Sequence, residues 1–255
     1  MFSHAIVRIP CDNFASGLTT SGHLGAPDLR TMLIQHDMYV EALRHCGLTI
    51  ITLPPEEAFP DAHFVEDVAV VMPEVAVITN PGAPARSGEP RSVAPVLGRY
   101  KRLARITAPG TMDGGDVLLV DRHFFVGLSE RTNAEGARQF EHIVSAYGYT
   151  VQTVPVGQGL HFKSGVNHLG GRTLLVTPDF ACLPALAGYE LLVTPEDDEY
   201  AANTLLVNDT LLTPAGYPEV RALLDGLGKR VIELDMSETR RMDGGLTCLS
   251  LRFAV

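Results

Sequence analysis

The stretch from Met112 to Gly127, MDGGDVLLVDRHFFVG, sets the terms on which this chain folds. Val117 to Val120 and His123 to Val126 are β-favouring runs separated only by Asp121 and Arg122, which reads as a tight hairpin with an acidic, Gly-rich mouth. Similar hairpins open at Asp67, Asp116, Gly165 and Asn203, and a fifth opening stands at Thr247; successive openings lie 49, 49, 38 and 44 residues apart. The fifth leads into one apolar run, Cys248 to Phe253, and Ala5 to Ile9 supplies the missing partner strand, which would close a ring. A period of roughly 40 to 50 residues with one helix per unit marks radially repeated units.

The helices follow the same grammar. Asp28 to Cys46 places Leu29, Met32, Leu33, His36, Tyr39, Val40 and Leu43 on one face and stops at Gly47. Further helices are predicted over Ser92 to Leu103, Thr132 to Tyr147 with Thr132 and Glu135 as a capping box, Asp179 to Ala187, and Pro218 to Leu227. Each leads to a strand. The pattern predicts an α/β fold of five ββαβ units with pseudo-fivefold symmetry, a five-bladed α/β-propeller, as one domain over residues 1–255, since no Pro/Ser/Gly-rich linker or charge block divides the 255 residues.

A hydrophobic content of 45% supplies ample core. The formal net charge of −10 argues against nucleic-acid and anionic-membrane partners, which need a basic surface, and suits a small cationic substrate. No apolar run approaches the roughly 18 residues of a membrane span, and MFSHAIVRIP lacks the apolar core of a signal peptide, so a cytoplasmic location is expected. Cys11, Cys46, Cys182 and Cys248 lack CxxC spacing, which indicates neither a zinc site nor a disulfide framework. No metal and no cofactor are expected.

In a ring the strand openings converge, and the reactive side chains cluster at them: Asp61, Phe64, Glu66 and Asp67; Asp113 and Asp116; His161 and Lys163; Asp243 and Cys248. Cysteine, histidine and carboxylates meeting across a cleft suit thiolate attack, proton transfer by imidazole and a carboxylate that orients it. Each also has a structural alternative: Cys248 as a small buried hydrophobe, Phe64 as core, Asp67 and Asp116 as turn caps, Arg86 and Arg131 as solvated surface cations. Asp243-Gly244-Gly245 before Cys248 repeats Asp113-Gly114-Gly115 at another mouth, and this favours function. Cys11 to Pro27, with Gly17, Gly22 and Gly25 around an isolated Leu18, reads as a lid over a site or equally as plain surface.

An ordered series of segments, GLTTSGHLGAPD, FPDAHFVEDVAVV, ITNPGAPARSGE, MDGGDV, FFVGLSERTNAEGARQ, GLHFKS, YAANTLLVN, PAGYP and MDGGLTCLSLRF, resembles the dimethylarginine dimethylaminohydrolases of the guanidine-modifying amidinotransferase superfamily, nearly end to end. The resemblance implies a five-bladed α/β-propeller and metal-free hydrolysis of methylated arginines to citrulline and an alkylamine. It implies Cys248 as nucleophile, His161 as general acid and base, and Asp113 as the carboxylate that orients the imidazole. Asp67, with Glu66 nearby, would hold the guanidinium, and Asp243 would border the same end. Arg86 and Arg131 would clamp the α-carboxylate, Asp61 and the Leu18 backbone the α-amino group, and Phe64 would lie along the substrate. The chain departs from some relatives in having Asp113 for glutamate, Phe162 for leucine, Thr204 for cysteine and a Thr19 to Leu24 segment one residue longer.

Beside this reading stand an arginine deiminase-like or other substituted-guanidine hydrolase, and a non-catalytic propeller that binds cationic amino acids. The arginine deiminases carry an inserted helical domain for which 255 residues leave no room. The expected partner is a small molecule, a methylated arginine, with a homodimer as the candidate assembly.

Overall fold

The computed structural model describes residues 1–157 and 160–255. Among the described residues fifteen strands form five three-stranded sheets of one pattern. The first contains β1 (His4–Arg8), then α1 (Leu29–His45) and β2 (Thr49–Leu53). The second is β3 (Ala69–Val71), β4 (Val75–Ile78), α2 (Pro90–Leu97) and β5 (Arg102–Arg105). The third is β6 (Val117–Val120), β7 (His123–Leu128), α3 (Ala134–Ser145) and β8 (Thr150–Pro155). After the short α4 (Phe162–Gly165) come β9 (Val166–Gly170), β10 (Thr173–Val176), α5 (Pro178–Ala181) and β11 (Glu190–Val193). The last is β12 (Leu205–Val207), β13 (Thr210–Pro214), α6 (Pro218–Asp225) and β14 (Arg230–Leu234), followed by α7 (Ser237–Arg241) and β15 (Leu251–Phe253).

In each sheet the middle strand pairs antiparallel with one neighbour and parallel with the strand that returns after the helix. As anticipated, the first sheet is completed from the far end of the chain: β15 pairs antiparallel with β1, with Ala5 opposite Arg252. The middle strands are apolar on both faces because each face serves a different cluster. Phe124 and Val126 of β7 pack against β4 and α3, whereas Phe125 packs with Phe162, Val166 and Leu174. Five such clusters occur, each between consecutive units, and one of them joins α1 and β1 to β12, β13 and β14. The hairpin-opening strands line a cavity of about 550 Å³.

Four local expectations are corrected. The second helix ends at Leu97, since Gly98 takes over as its cap and β5 starts at Arg102, so the helix does not reach Leu103. The helix expected over Asp179 to Ala187 is broken by Pro184 into α5 and a single 3-10 turn. Thr132 and Glu135 form no capping box: Asn133 caps α3, its Oδ1 accepting from Gly136 N at 2.8 Å, while Thr132 Oγ1 donates to Asp116. The run Cys248 to Phe253 is strand only from Leu251, because Cys248 sits in the preceding turn with its N–H donated to Gly245 O.

Candidate active site

The turns before the sheets bring Asp67, Asp113 and His161 together. His161 immediately precedes α4, and its Nε2 lies 3.1 Å from Asp113 Oδ2 and 3.8 Å from Asp67 Oδ1. All three are buried. Asp113 is itself aimed by Gly82 N, which donates to its Oδ1 at 2.9 Å. Asp67 accepts from Gly115 N at 2.9 Å and from Arg86 Nη1 at 2.5 Å. Both Asp-Gly-Gly turns are explained by close approach. A Cβ on Gly115 would stand 2.6 Å from His161 Nδ1, and one on Gly244 would stand 2.3 Å from the Phe64 ring.

Cys248 is half-buried beside Glu66, whose N–H donates to Cys248 O at 3.1 Å. Burial, reinforced by the negative charges of Glu66 and Asp67, pushes its thiol up to about 12. His161 is displaced in the favourable direction for a cation. Burial opposes its charge, but Asp67, the bond to Asp113 and the charge of Asp116 outweigh that and raise it to about 9. Burial works against the Asp67 carboxylate too, and is overcome by His161 and Arg86, which hold it below the usual carboxylate range. At neutral pH the pocket therefore pairs a neutral thiol with an imidazolium between carboxylates.

The remaining expected residues are placed unequally. Asp61 accepts Leu18 N at 3.1 Å and 3.2 Å; burial raises its pKa, while Leu18 N–H, Arg86 and Arg131 oppose the rise. Phe64 is buried between Gly244 and the His63 ring, 4.0 Å away. Glu66 has its Oε1 taken by Lys163 Nζ at 2.7 Å and Arg252 Nη2 at 3.0 Å, while its buried Oε2 has no hydrogen-bond partner among the described residues. Arg86 is turned inward, donating to Asp67, to both oxygens of Glu89 and to the carbonyls of Asp61 and Phe64. Of its five donors, one N–H at Nη1 has no acceptor among the described residues. Asp243 accepts from Thr20 and Ser21 of the lid. Asp116 is a staple, as its capping alternative implied, accepting from Ser129 Oγ, Thr132 Oγ1 and Phe162 N.

Two positioning residues escaped the sequence reading. Asn203 Oδ1 accepts Thr247 N at 3.0 Å and its Nδ2 reaches Thr247 Oγ1, so it holds the turn that carries Cys248; its place at a strand opening, equivalent to Asp67 and Asp116, was the available signal. Gly82 packs against the backbone of Arg131, a contact no local pattern announces. Asp67, Asp113 and His161 also offer one metal-ligating atom each within 4.8 Å of one another, but the Asp113–His161 bond and the Arg86 ion pair already occupy these carboxylates.

Comparison with known proteins gives the family. The profile of the family described as N,N dimethylarginine dimethylhydrolase, eukaryotic, matches residues 28–181. The N(G),N(G)-dimethylarginine dimethylaminohydrolase of Pseudomonas aeruginosa is 43% identical, with 99% of this chain and 100% of the relative covered. The chain belongs to the dimethylarginine dimethylaminohydrolase family. A Cys-to-Ser mutant of the Pseudomonas aeruginosa member, complexed with citrulline, superposes with a TM-score of 0.97 over 99% of this chain and 100% of that one. The N-terminal domain of a cyanobacterial arginine dihydrolase, at 17% identity and a TM-score of 0.85 over 99% of this chain and 97% of that one, shares the fold. The five mixed sheets are thus the α/β pentein fold that dimethylarginine dimethylaminohydrolases adopt. Among the described residues no helix is long and apolar enough to cross a membrane.

Proposed function

We propose that this single catalytic domain hydrolyses Nω-methylated arginines to citrulline and dimethylamine or methylamine through a covalent thiouronium on Cys248. The observation that carries the reading is the buried His161 bonded to Asp113 and bordered by Asp67, on the same mouth as the Cys248 turn, in a chain 43% identical to a dimethylarginine dimethylaminohydrolase.

The substrate guanidinium lies against Asp67, and its positive charge beside Cys248 offsets the carboxylates that disfavour the thiolate. The thiol proton passes to solvent as the cation enters. The thiolate adds to the guanidinium carbon, and protonated His161 gives its proton to the methylated nitrogen as that C–N bond breaks. The amine leaves. Neutral His161 then takes a proton from water, the resulting hydroxide adds to the thiouronium carbon, and the C–S bond breaks as the adduct's hydroxyl proton passes to the departing sulfur, releasing citrulline and restoring the Cys248 thiol and the protonated His161. Asp61 with the Leu18 backbone holds the α-amino group, and Arg131 with the remaining N–H of Arg86 holds the α-carboxylate.

The five sheets are further proposed to close into a pseudo-fivefold ring. In support, the apolar clusters run between each consecutive pair of units, last and first included, and strands from all five sheets line one cavity. Citrulline release from asymmetric dimethylarginine, monomethylarginine, arginine and a simple alkylguanidine tests the assignment. Turnover confined to the methylated arginines and abolished in Cys248→Ser is the expected result; turnover of arginine or alkylguanidine alone would overturn the substrate.

A further inference from the structure

Cys11 and Phe14, at the start of the lid between β1 and α1, are buried in the core, but from Leu18 onward the lid has no buried residue. Leu18 is 42% exposed, Thr19 and Thr20 are exposed, and Ser21 is only half-buried. What holds it is polar and concentrated on one short segment of the chain. Thr20 N donates to Asp243 Oδ2 at 2.5 Å, Thr20 Oγ1 to the same oxygen at 3.0 Å, and Ser21 Oγ to Asp243 Oδ1. Thr19 Oγ1 donates to Arg241 O at 2.8 Å, and Arg241 Nε to Leu24 O at 3.1 Å. One carboxylate therefore gathers three donors from two successive lid residues, a charge-assisted arrangement stronger than neutral bonds at the same sites.

The position of that carboxylate gives it its consequence. Asp243 has φ 57, the left-handed region, and begins the turn that runs through Gly244 and Gly245 to Cys248. Gly244 leaves room for Phe64 and Gly245 abuts Asn203, so the segment holding the lid is itself clamped to the site. On the other side, Leu18 lies two residues from Thr20, and its N–H meets the Asp61 carboxylate. A Cβ on Gly17 would stand 2.2 Å from Asp61 Oδ1, so this approach needs the glycine.

The geometry points to Asp243 as a latch: a positioning residue that holds the Thr20–Ser21 lid shut, and with it the Leu18–Asp61 pair over the amino-acid end of the substrate, rather than a group that touches the guanidinium. This rests on the methylarginine reading for its effect on turnover, while the latch itself is a property of the free protein. Because the contacts are partly exposed, the latch opens readily, as entry and release of a small substrate require.

The test approaches the latch from both sides. Asp243→Asn keeps the side-chain shape and tolerates the left-handed backbone but removes the charge. Thr20→Val/Ser21→Ala removes the lid hydroxyls and leaves Asp243 intact. In both, hydrogen exchange at the Leu18 to Ser21 amides should accelerate, KM for the methylarginine should rise about ten-fold, and kcat should change much less. Combining the changes should add little to either. Unaltered exchange in Asp243→Asn overturns the latch, as does an impaired Asp243→Asn beside a lid variant with unchanged KM, which would place Asp243 on the substrate. Should the unmodified protein turn over no methylarginine, the function is wrong, and hydrogen exchange alone still decides the latch.

Discussion

His161 carries the largest electrostatic consequence in the site, because its proton is held by three carboxylates rather than by solvent. An unfolded histidine titrates near 6.5, and here the group is raised to about 9, so its protonated form stabilises the folded chain. That contribution is fully present below about pH 6.5 and is lost as pH rises through about 9. Urea denaturation of the unmodified protein and of His161→Ala at about pH 6 and about pH 10 should show their difference in stability shrinking by about 3 kcal/mol at the higher pH. An equal difference at both would show that the carboxylates do not hold the proton. That His161 and Asp113 meet was legible because each sits at a strand opening, whereas the role of Cys248 was read from the family resemblance. The direction of Glu66 and Arg86 was not. Their partners, Lys163, Arg252, Glu89 and Asp67, are set by which turns meet in space, and a long charged side chain carries no local mark of where it ends.

At the scale of elements, the Asp-Gly-Gly turns matter more than the strands they introduce. Gly115 is where the Asp67 carboxylate and the His161 ring approach the backbone together. Gly115→Ala should push the imidazole away from Asp113 and lower kcat by about a hundred-fold, since an ångström of misplacement costs that much. Its KM should change far less, and wild-type kcat in this variant would mean that the His161 position is not catalytically critical. Hairpins and the α1 boundaries were readable, because Asp28 caps α1 with bonds to Thr31 N and Oγ1 and Gly47 leaves it at φ 86. Helix lengths failed where a competing interaction won. Pro184 cut one helix, Gly98 shortened another, and Asp116 drew Thr132 from the cap that its spacing with Glu135 suggested.

For the molecule as a whole, the repeat of openings was visible in the chain, and so was the need for a strand from the opposite end. Ser3 N donates to Phe253 O and Val255 N to Ser3 Oγ, so the two ends lie side by side. A circular permutant that joins Val255 to Met1 and opens at the exposed Gly171 hairpin should keep its circular dichroism and its citrulline release within a few-fold of the parent. A permutant that fails to unfold cooperatively would mean that the order of the chain, not the ring of sheets, directs folding. The proposal that the Cys248 turn delivers a nucleophile to an amidine carbon is tested most directly by acid-quenching the His161→Gly protein with S-methyl-L-thiocitrulline, whose methylthiolate departs without the imidazole's proton, and weighing its peptides. The account predicts a thiouronium-sized mass increase on the Cys248 peptide alone, absent in Cys248→Ser; an unmodified Cys248, or an adduct on Cys11, Cys46 or Cys182, would contradict it.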